Sequence, residues 1–172
     1  DTVNLRTILI ETGPMRTFEA SLGVNLNSSD FVLDIQANAI VNAQGQPYEG
    51  TVNIHIANAD PDDPHFGLMM PGGDFFGFDA QGNGVVLTSI GVMGVELTDP
   101  AGNPLNLAPG QTARLAYDIP SSMLAFSEGQ TNIPMWHFDE TQGLWIQEGF
   151  AIRYGDRFEA QVSHFSWWNF DY

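Results

Sequence analysis

The feature that most constrains the fold of this chain is a recurring turn sequence in which Asp or Asn lies close to Gly. An Asp or Asn side chain can hydrogen-bond to the backbone of its own turn, and Gly adopts the positive φ that tight turns require. Strands that are separated by such turns at intervals of about 8–12 residues are typical of a β-sandwich. The turn segments are NAQGQP (42–47), DAQGNG (79–84), DPAGNP (99–104), DETQG (139–143) and YGD (154–156).

The segments between these turns have the period-two pattern of half-buried strands. In residues 50–59, Val52, Ile54 and Ile56 alternate with polar or small residues. The sequence therefore predicts an all-β fold, an antiparallel β-sandwich with little helix, in which two packed β-units are an alternative arrangement. We expect a single domain over 1–172, with a candidate internal boundary near 100–133. The predicted strands are 2–12, 31–41, 50–59, 84–99 (broken near Gly91), 112–120, 133–140, 143–155 and 158–168, and the best helix candidate is 121–129.

The charge of the chain excludes some classes of partner. It has 21 acidic residues against five basic ones, all of them arginine, and a net charge of −16. Such a surface repels the phosphates of nucleic acids and anionic lipids, so we expect no nucleic-acid partner. No stretch reaches the roughly 18 apolar residues of a membrane helix, so we expect no membrane insertion. Cysteine is absent, which excludes disulfides, and this absence favours a secreted or surface-anchored bacterial protein.

An acidic loop is the candidate metal site of the sequence. The segment DPDDPH (60–65) offers the carboxylates of Asp60, Asp62 and Asp63, and Ca²⁺ prefers about 6–8 oxygen ligands. The alternative is a solvated acidic loop without an ion. Calcium is thus the one cofactor that the sequence suggests.

Aromatic residues form the candidate binding surface. The segment 59–78 is long and rich in Pro, Gly, Met and Phe, and long loops often carry function. We expect Phe75, Phe76, Trp167 and Trp168 to contact a glycan or a protein partner if they are exposed. The alternative is that these rings fill the core, as most aromatic rings do.

The chain closes with VSHFSWWNFDY (162–172), which allows two interpretations. In the first, these residues form a final core strand. In the second, the hydroxyl of Ser166 attacks the carbonyl carbon of Phe165 in an N→O acyl shift, His164 acts as acid and base, and water opens the resulting ester.

Three segments resemble a known family. The stretches 133–149 and 158–171, together with 31–57, are similar to the domain shared by zonula occludens proteins, netrin receptors and ankyrins (a ZU-type domain). They also resemble modules of cartilage intermediate layer protein and of bacterial surface proteins. The resemblance implies a β-sandwich, and since some members cleave themselves between Phe and Ser of His-Phe-Ser, it implies Phe165–Ser166 as the scissile bond.

The sequence contains no motif of an enzyme that acts on a separate substrate. It has neither a His-Glu-x-x-His metal motif, nor a Gly-x-Ser-x-Gly nucleophile motif, nor a phosphate-binding loop. We therefore expect a non-enzymatic structural or assembly module of a bacterial surface protein or extracellular filament. Its partners would be copies of itself or neighbouring surface-protein domains, joined by donation of the N-terminal strand within 1–12 to an exposed sheet edge. The alternatives are a glycan- or protein-binding adhesion module and a self-cleaving domain.

Overall fold

The computed structural model describes residues 13, 15–73 and 75–171. It is 52% strand and 4% helix, which confirms the all-β prediction. The predicted donor strand within 1–12 lies outside the described residues. The strands are β1 (Arg16–Glu19), β2 (Val24–Asn27), β3 (Phe31–Ile35), β4 (Ile40–Asn42), β5 (Thr51–Ala59), β6 (Phe76–Phe78), β7 (Gly84–Val86), β8 (Ser89–Thr98), β9 (Pro104–Leu107), β10 (Ala113–Asp118), β11 (Asn132–Asp139), β12 (Leu144–Tyr154), β13 (Arg157–Val162) and β14 (Trp167–Asp171); the helical segments are α1 (Phe66–Met69) and a 3₁₀ turn (Pro71–Gly73).

The fourteen strands of the described residues belong to one sheet that curves into a nearly closed, barrel-like sandwich. The main path runs β1-β5-β8-β14-β11-β12-β13-β10-β3-β2, and its pairs are antiparallel. The short strand β6 pairs in parallel with β12. Strand β10 pairs with β3 on one side and with β13 on the other, so the chain before and after residues 100–133 shares one sheet.

The main core lies inside the sandwich. Tyr117, Phe158, Trp168 and Phe170 are among its largest fully buried side chains. Strand β8 lies between β5 and β14, and nearly all of its residues are buried. The predicted break near Gly91 is absent. Glycine occupies this position within the strand because the Tyr117 ring lies against it and leaves no space for a side chain. The chain instead interrupts its strands at residues 87–88.

A second, smaller core lies on the other face of the sheet. Trp136 and Trp145 are buried there, and the segment 59–78 covers them with Met70 and the partly buried Phe75. The long loop that the sequence singled out as a binding surface is therefore in large part a cover for these two tryptophans.

The predicted turn chemistry is present in detail. Asp99 Oδ1 accepts hydrogen bonds from the backbone N–H groups of Ala101 (2.9 Å) and Asn103 (2.8 Å). Gly102 completes this turn with a φ of 84°. Asp79 closes an equivalent turn in the same way. These local bonds hold the hairpin ends that connect the strands.

Three further predicted elements differ from the structure. The predicted strand 31–41 is divided into β3 and β4 by a turn at 36–39. Residues 121–129 form successive turns instead of a helix, and Ser122 within them donates its hydroxyl hydrogen to Asp62. The predicted strand 158–168 is divided into β13 and β14 by a four-residue connection, 163–166. Among the described residues, no helix has the length and apolar character needed to cross a bilayer.

Candidate functional site

The connection 163–166 contains the His-Phe-Ser sequence, and Asn106 of β9 holds its centre. The backbone N–H of Phe165 donates to Asn106 Oδ1 at 2.8 Å. The Nδ2 of Asn106 in turn donates to the carbonyl oxygen of Phe165, at 3.4 Å. One amide side chain therefore fixes both polar groups of Phe165, whose ring is buried in the main core.

The neighbouring side chains of this connection have other partners. The hydroxyl of Ser166 donates to the carbonyl oxygen of Phe138 at 3.1 Å. The Nε2 of His164 lies 3.2 Å from Glu148 Oε2. The structure thus brings His164, Phe165 and Ser166 to one short connection, but the hydroxyl and the imidazole hydrogen-bond to different groups. Cleavage of Phe165–Ser166 stays a prediction.

His164 belongs to a cluster with His137 of β11 and Glu148 of β12. Their ligand atoms all lie within 4.8 Å of one another, and this is the one group of three or more His, Asp or Glu side chains found so close together in the described residues. His137 Nε2 is 3.6 Å from Glu148 Oε2, the same oxygen that His164 approaches. The two imidazole rings meet edge to face, with their centroids 5.0 Å apart.

A β-bulge directs Glu148 into this cluster. Pro134 pairs with Phe150 and Trp136 pairs with Gln147, so Glu148 and Gly149 together lie opposite a single residue of β11. Gly149 has a φ of 79°, a backbone conformation that strongly favours glycine. Bulges of this kind re-aim a side chain and occur often beside functional sites.

The electrostatics of the cluster favour a neutral His137 and an ionised Glu148. Burial, and after it the neighbouring His164, lowers the pKa of His137. Burial alone would raise the pKa of Glu148, but hydrogen bonds from Ser163 and His164 and the two nearby imidazoles outweigh it and lower this pKa. The Ser163 hydroxyl donates to Glu148 Oε1 at 2.9 Å, which leaves Oε2 facing the two histidines.

A cleft of about 560 Å³ adjoins the connection 163–166. The half-buried Trp167 lies at its wall with one ring face against Gly94 of β8. We call this cavity the Trp167 cleft. Its other polar or aromatic lining residues are His55, Glu96, Asn106, Phe138, Glu140, His164, Phe165 and Ser166.

The four predicted binding aromatics have different positions. Trp167 lines the cleft, and Phe76 is 38% exposed on β6. Phe75 packs against the second core. The prediction that Trp168 contacts a partner is wrong, because this residue is 1% exposed. Side chains alternate along β14, so Trp168 lies in the main core and Trp167 on the opposite face of the sheet. The ring of Trp168 cannot form part of a binding surface, although it contacts the rings of His137 and His164.

The three predicted calcium ligands accept hydrogen bonds from separate partners. Asp60 Oδ1 accepts from the backbone of Asp62, and Asp63 Oδ1 accepts from the backbone of His65. Asp62 accepts from Ser122. These carboxylates are not part of the metal-ligand cluster found among the described residues, and calcium binding by them stays a prediction.

Comparison of the chain with family models, with curated proteins and with solved structures finds no match in any of the three. The likeness to ZU-type domains therefore stays a prediction from the sequence.

Sequence reasoning missed Asn106, His137 and Glu148. Asn106 precedes Phe165 by 59 residues, and Glu148 precedes His164 by 16, so neither partnership has a local spacing. The available signal for the bulge was Gly149, a glycine within an otherwise regular strand pattern.

Proposed function

We propose that this chain is a non-catalytic module of a secreted or cell-surface protein, and that it binds a neutral glycan in the Trp167 cleft. The observation that carries the proposal is the position of the Trp167 ring, half-buried at the wall of a cleft of about 560 Å³. Ligand pockets are commonly about 300–1,000 Å³ in volume and combine apolar walls with a few placed polar groups.

Trp167 supplies a flat apolar surface. A Cβ built on Gly94 would lie 2.9–3.0 Å from the ring atoms Cδ2, Cε3 and Cε2 at once, so the ring lies face-on against the strand. A rigid aromatic ring loses little conformational entropy on binding, and its face suits the C–H groups of a pyranose ring.

The polar groups of the cleft are mainly hydrogen-bond acceptors. Glu96 and Glu140 are both exposed and line the cleft. His55 lies directly opposite Glu96 in the pairing of β5 with β8. Carboxylates and amides accept hydrogen bonds from sugar hydroxyls, and ionised acceptors form the stronger bonds.

The charge of the chain selects among glycans. A net charge of −16 repels sulfated, phosphorylated and uronic-acid polymers. The proposal is therefore restricted to glycans without acidic groups.

The test is a glycan array followed by calorimetric titration of the neutral oligosaccharides that bind. Trp167→Ala should weaken binding about tenfold or more, since central aromatic residues dominate binding energies. Phe150→Ala is the matched control, because Phe150 is 58% exposed and does not line the cleft. Glu96→Gln changes an exposed side chain on the cleft wall and provides a second variant should Trp167→Ala misfold. An array without hits, or binding that survives both cleft variants, would reject the proposal.

Self-cleavage is a second candidate, favoured by the contact of Asn106 with the carbonyl oxygen of Phe165. A donor at this oxygen would stabilise the negative charge that develops when Ser166 Oγ attacks the carbonyl carbon. The C–N bond would then break, the freed amine would take the proton of the hydroxyl, and water would hydrolyse the ester. An intact mass under denaturing conditions decides: loss of the fragment that begins at Ser166, prevented by Ser166→Ala, supports cleavage, and an uncut wild-type chain rejects it.

A further inference from the structure

We infer that His137, Glu148 and His164 form a binding site for a divalent transition-metal ion of the zinc type. The inference is independent of glycan binding, although His164 also borders the Trp167 cleft.

Two distances within the cluster are close to the edge length of a zinc coordination tetrahedron. Zinc binds imidazole nitrogen and carboxylate oxygen at about 2.0–2.2 Å, so two ligand atoms of a tetrahedral site lie about 3.3–3.6 Å apart. Glu148 Oε2 is 3.2 Å from His164 Nε2 and 3.6 Å from His137 Nε2. The longer distance exceeds that of an ordinary hydrogen bond, yet both nitrogens face the same oxygen.

The surroundings hold the ligands in place. Ser163 occupies Glu148 Oε1 with a hydrogen bond of 2.9 Å, which leaves Oε2 to the two imidazoles. The His164 ring lies 5.0 Å from the Trp168 ring, centroid to centroid, and Trp168 Nε1 donates to the carbonyl oxygen of His164 at 3.2 Å. Supporting contacts of this type orient the ligands in metal sites and contribute to affinity.

The donor set selects the kind of ion. Two imidazole nitrogens and one carboxylate oxygen suit zinc and its neighbours, whereas calcium and magnesium prefer oxygen ligands alone. The side chains of His137, Glu148 and His164 are 18%, 41% and 32% exposed, so an ion can enter from solvent. Three protein ligands leave a fourth position for water, as in open zinc sites.

The first experiment needs no variant. The chain has four histidines, so a long-range ¹H–¹⁵N spectrum of their imidazoles resolves the whole set. Addition of Zn²⁺ to the metal-free protein should shift the Nε2 resonances of His137 and His164 at one equivalent and leave those of His55 and His65 in place. Shifts confined to other histidines, or no saturable shift, would overturn the inference.

Thermal unfolding gives the second experiment. Zinc at roughly a hundredfold above its dissociation constant should raise the melting temperature by about 5–10 °C, and calcium at the same concentration should not. Glu148→Gln and His137→Ala should abolish the rise. His65→Ala is the matched control, because His65 forms an exposed pair with Asp63 at 3.3 Å away from the cluster. A zinc response that persists in both cluster variants would place the ion elsewhere on the acidic surface and overturn the inference.

Discussion

Two glycines of strand β8 allow a sharp test of the packing on the two faces of the sheet. A Cβ at Gly91 would lie 2.1 Å from Cε1 of Tyr117, a ring that is 1% exposed and whose hydroxyl donates to Asn58 at 2.9 Å. A Cβ at Gly94 would meet the Trp167 ring at 2.9 Å, but that ring is half-buried and can move outward.

The magnitudes follow from how far each neighbour must move. Core overpacking costs about 1–3 kcal/mol and occasionally more. We expect Gly91→Ala to reach the top of this range, about 3 kcal/mol, because an anchored ring would have to shift by more than 1 Å to restore ordinary contact. Gly94→Ala should cost about 1 kcal/mol or less, since the lower backbone entropy of unfolded Ala offsets part of the strain.

Urea denaturation and thermal melting measure both effects. For a chain of this size, about 3 kcal/mol corresponds to a fall in melting temperature of roughly 6–12 °C. Gly67→Ala is the control, because its Cβ would only make an ordinary contact of 3.6 Å with Phe75. Equal costs for Gly91→Ala and Gly94→Ala, or a free energy of unfolding unchanged by Gly91→Ala, would refute the packing of Tyr117 on β8.

Four further predictions concern the last strand, a turn, the bulge and the N-terminus. Trp168→Ala should lower the free energy of unfolding by about 3–5 kcal/mol, as measured in urea, because it empties a core position; a loss below about 1 kcal/mol would contradict that placement. Hydrogen bonds from the side chain of Asn103, and then from its backbone, lower the pKa of Asp99. The ionised carboxylate therefore stabilises the fold at pH values above the ordinary Asp range, and this contribution is lost as the pH falls through the lowered pKa. The decline in melting temperature at acid pH should be shallower in Asp99→Asn than in the wild type, and parallel curves would contradict this assignment. Gly149→Ala should lower the free energy of unfolding by about 1–2 kcal/mol, because this residue has a positive φ. It should also weaken the zinc response, and an unchanged zinc titration would contradict the role of the bulge in positioning Glu148. If the N-terminal strand is donated between copies, light scattering should find polymers that deletion of 1–12 converts to monomers, and a monomer in both forms would reject strand donation.

The parts of the fold that depend on local chemistry could be predicted from the sequence. The alternation in residues 50–59 agrees with β5 to within one residue, because one face of that strand packs on the core. The turn at 99–103 was readable because the hydrogen bonds of the Asp99 side chain connect neighbours at most four residues apart.

The parts of the fold that depend on contacts between distant residues could not be predicted from the sequence. Residues 121–129 have a helix-like composition, but Ser122 hydrogen-bonds to Asp62, 60 residues earlier, and the segment remains a set of turns. Strands β1 and β2 are four residues long, and their pairing with β5 and β3 supplies the order that their own sequences do not. The cluster of His137, Glu148 and His164 was missed because it also depends on distant contacts. His164 belongs to a motif in the sequence, whereas the position of Glu148 depends on the register of β12 with β11.

The two adjacent tryptophans connect the sandwich to both candidate sites. Strand β14 pairs with β8 and β11, so its alternation sends Trp168 into the main core and Trp167 to the Trp167 cleft. The connection 163–166 immediately precedes them, and Asn106 fixes its centre at Phe165. Trp168 also contacts the ring and the carbonyl oxygen of His164, so the packing of this core residue contributes to the position of the imidazole. The His-Phe-Ser-Trp-Trp sequence thus joins β13 to β14, and it positions a histidine between the candidate metal-ligand cluster and the Trp167 cleft.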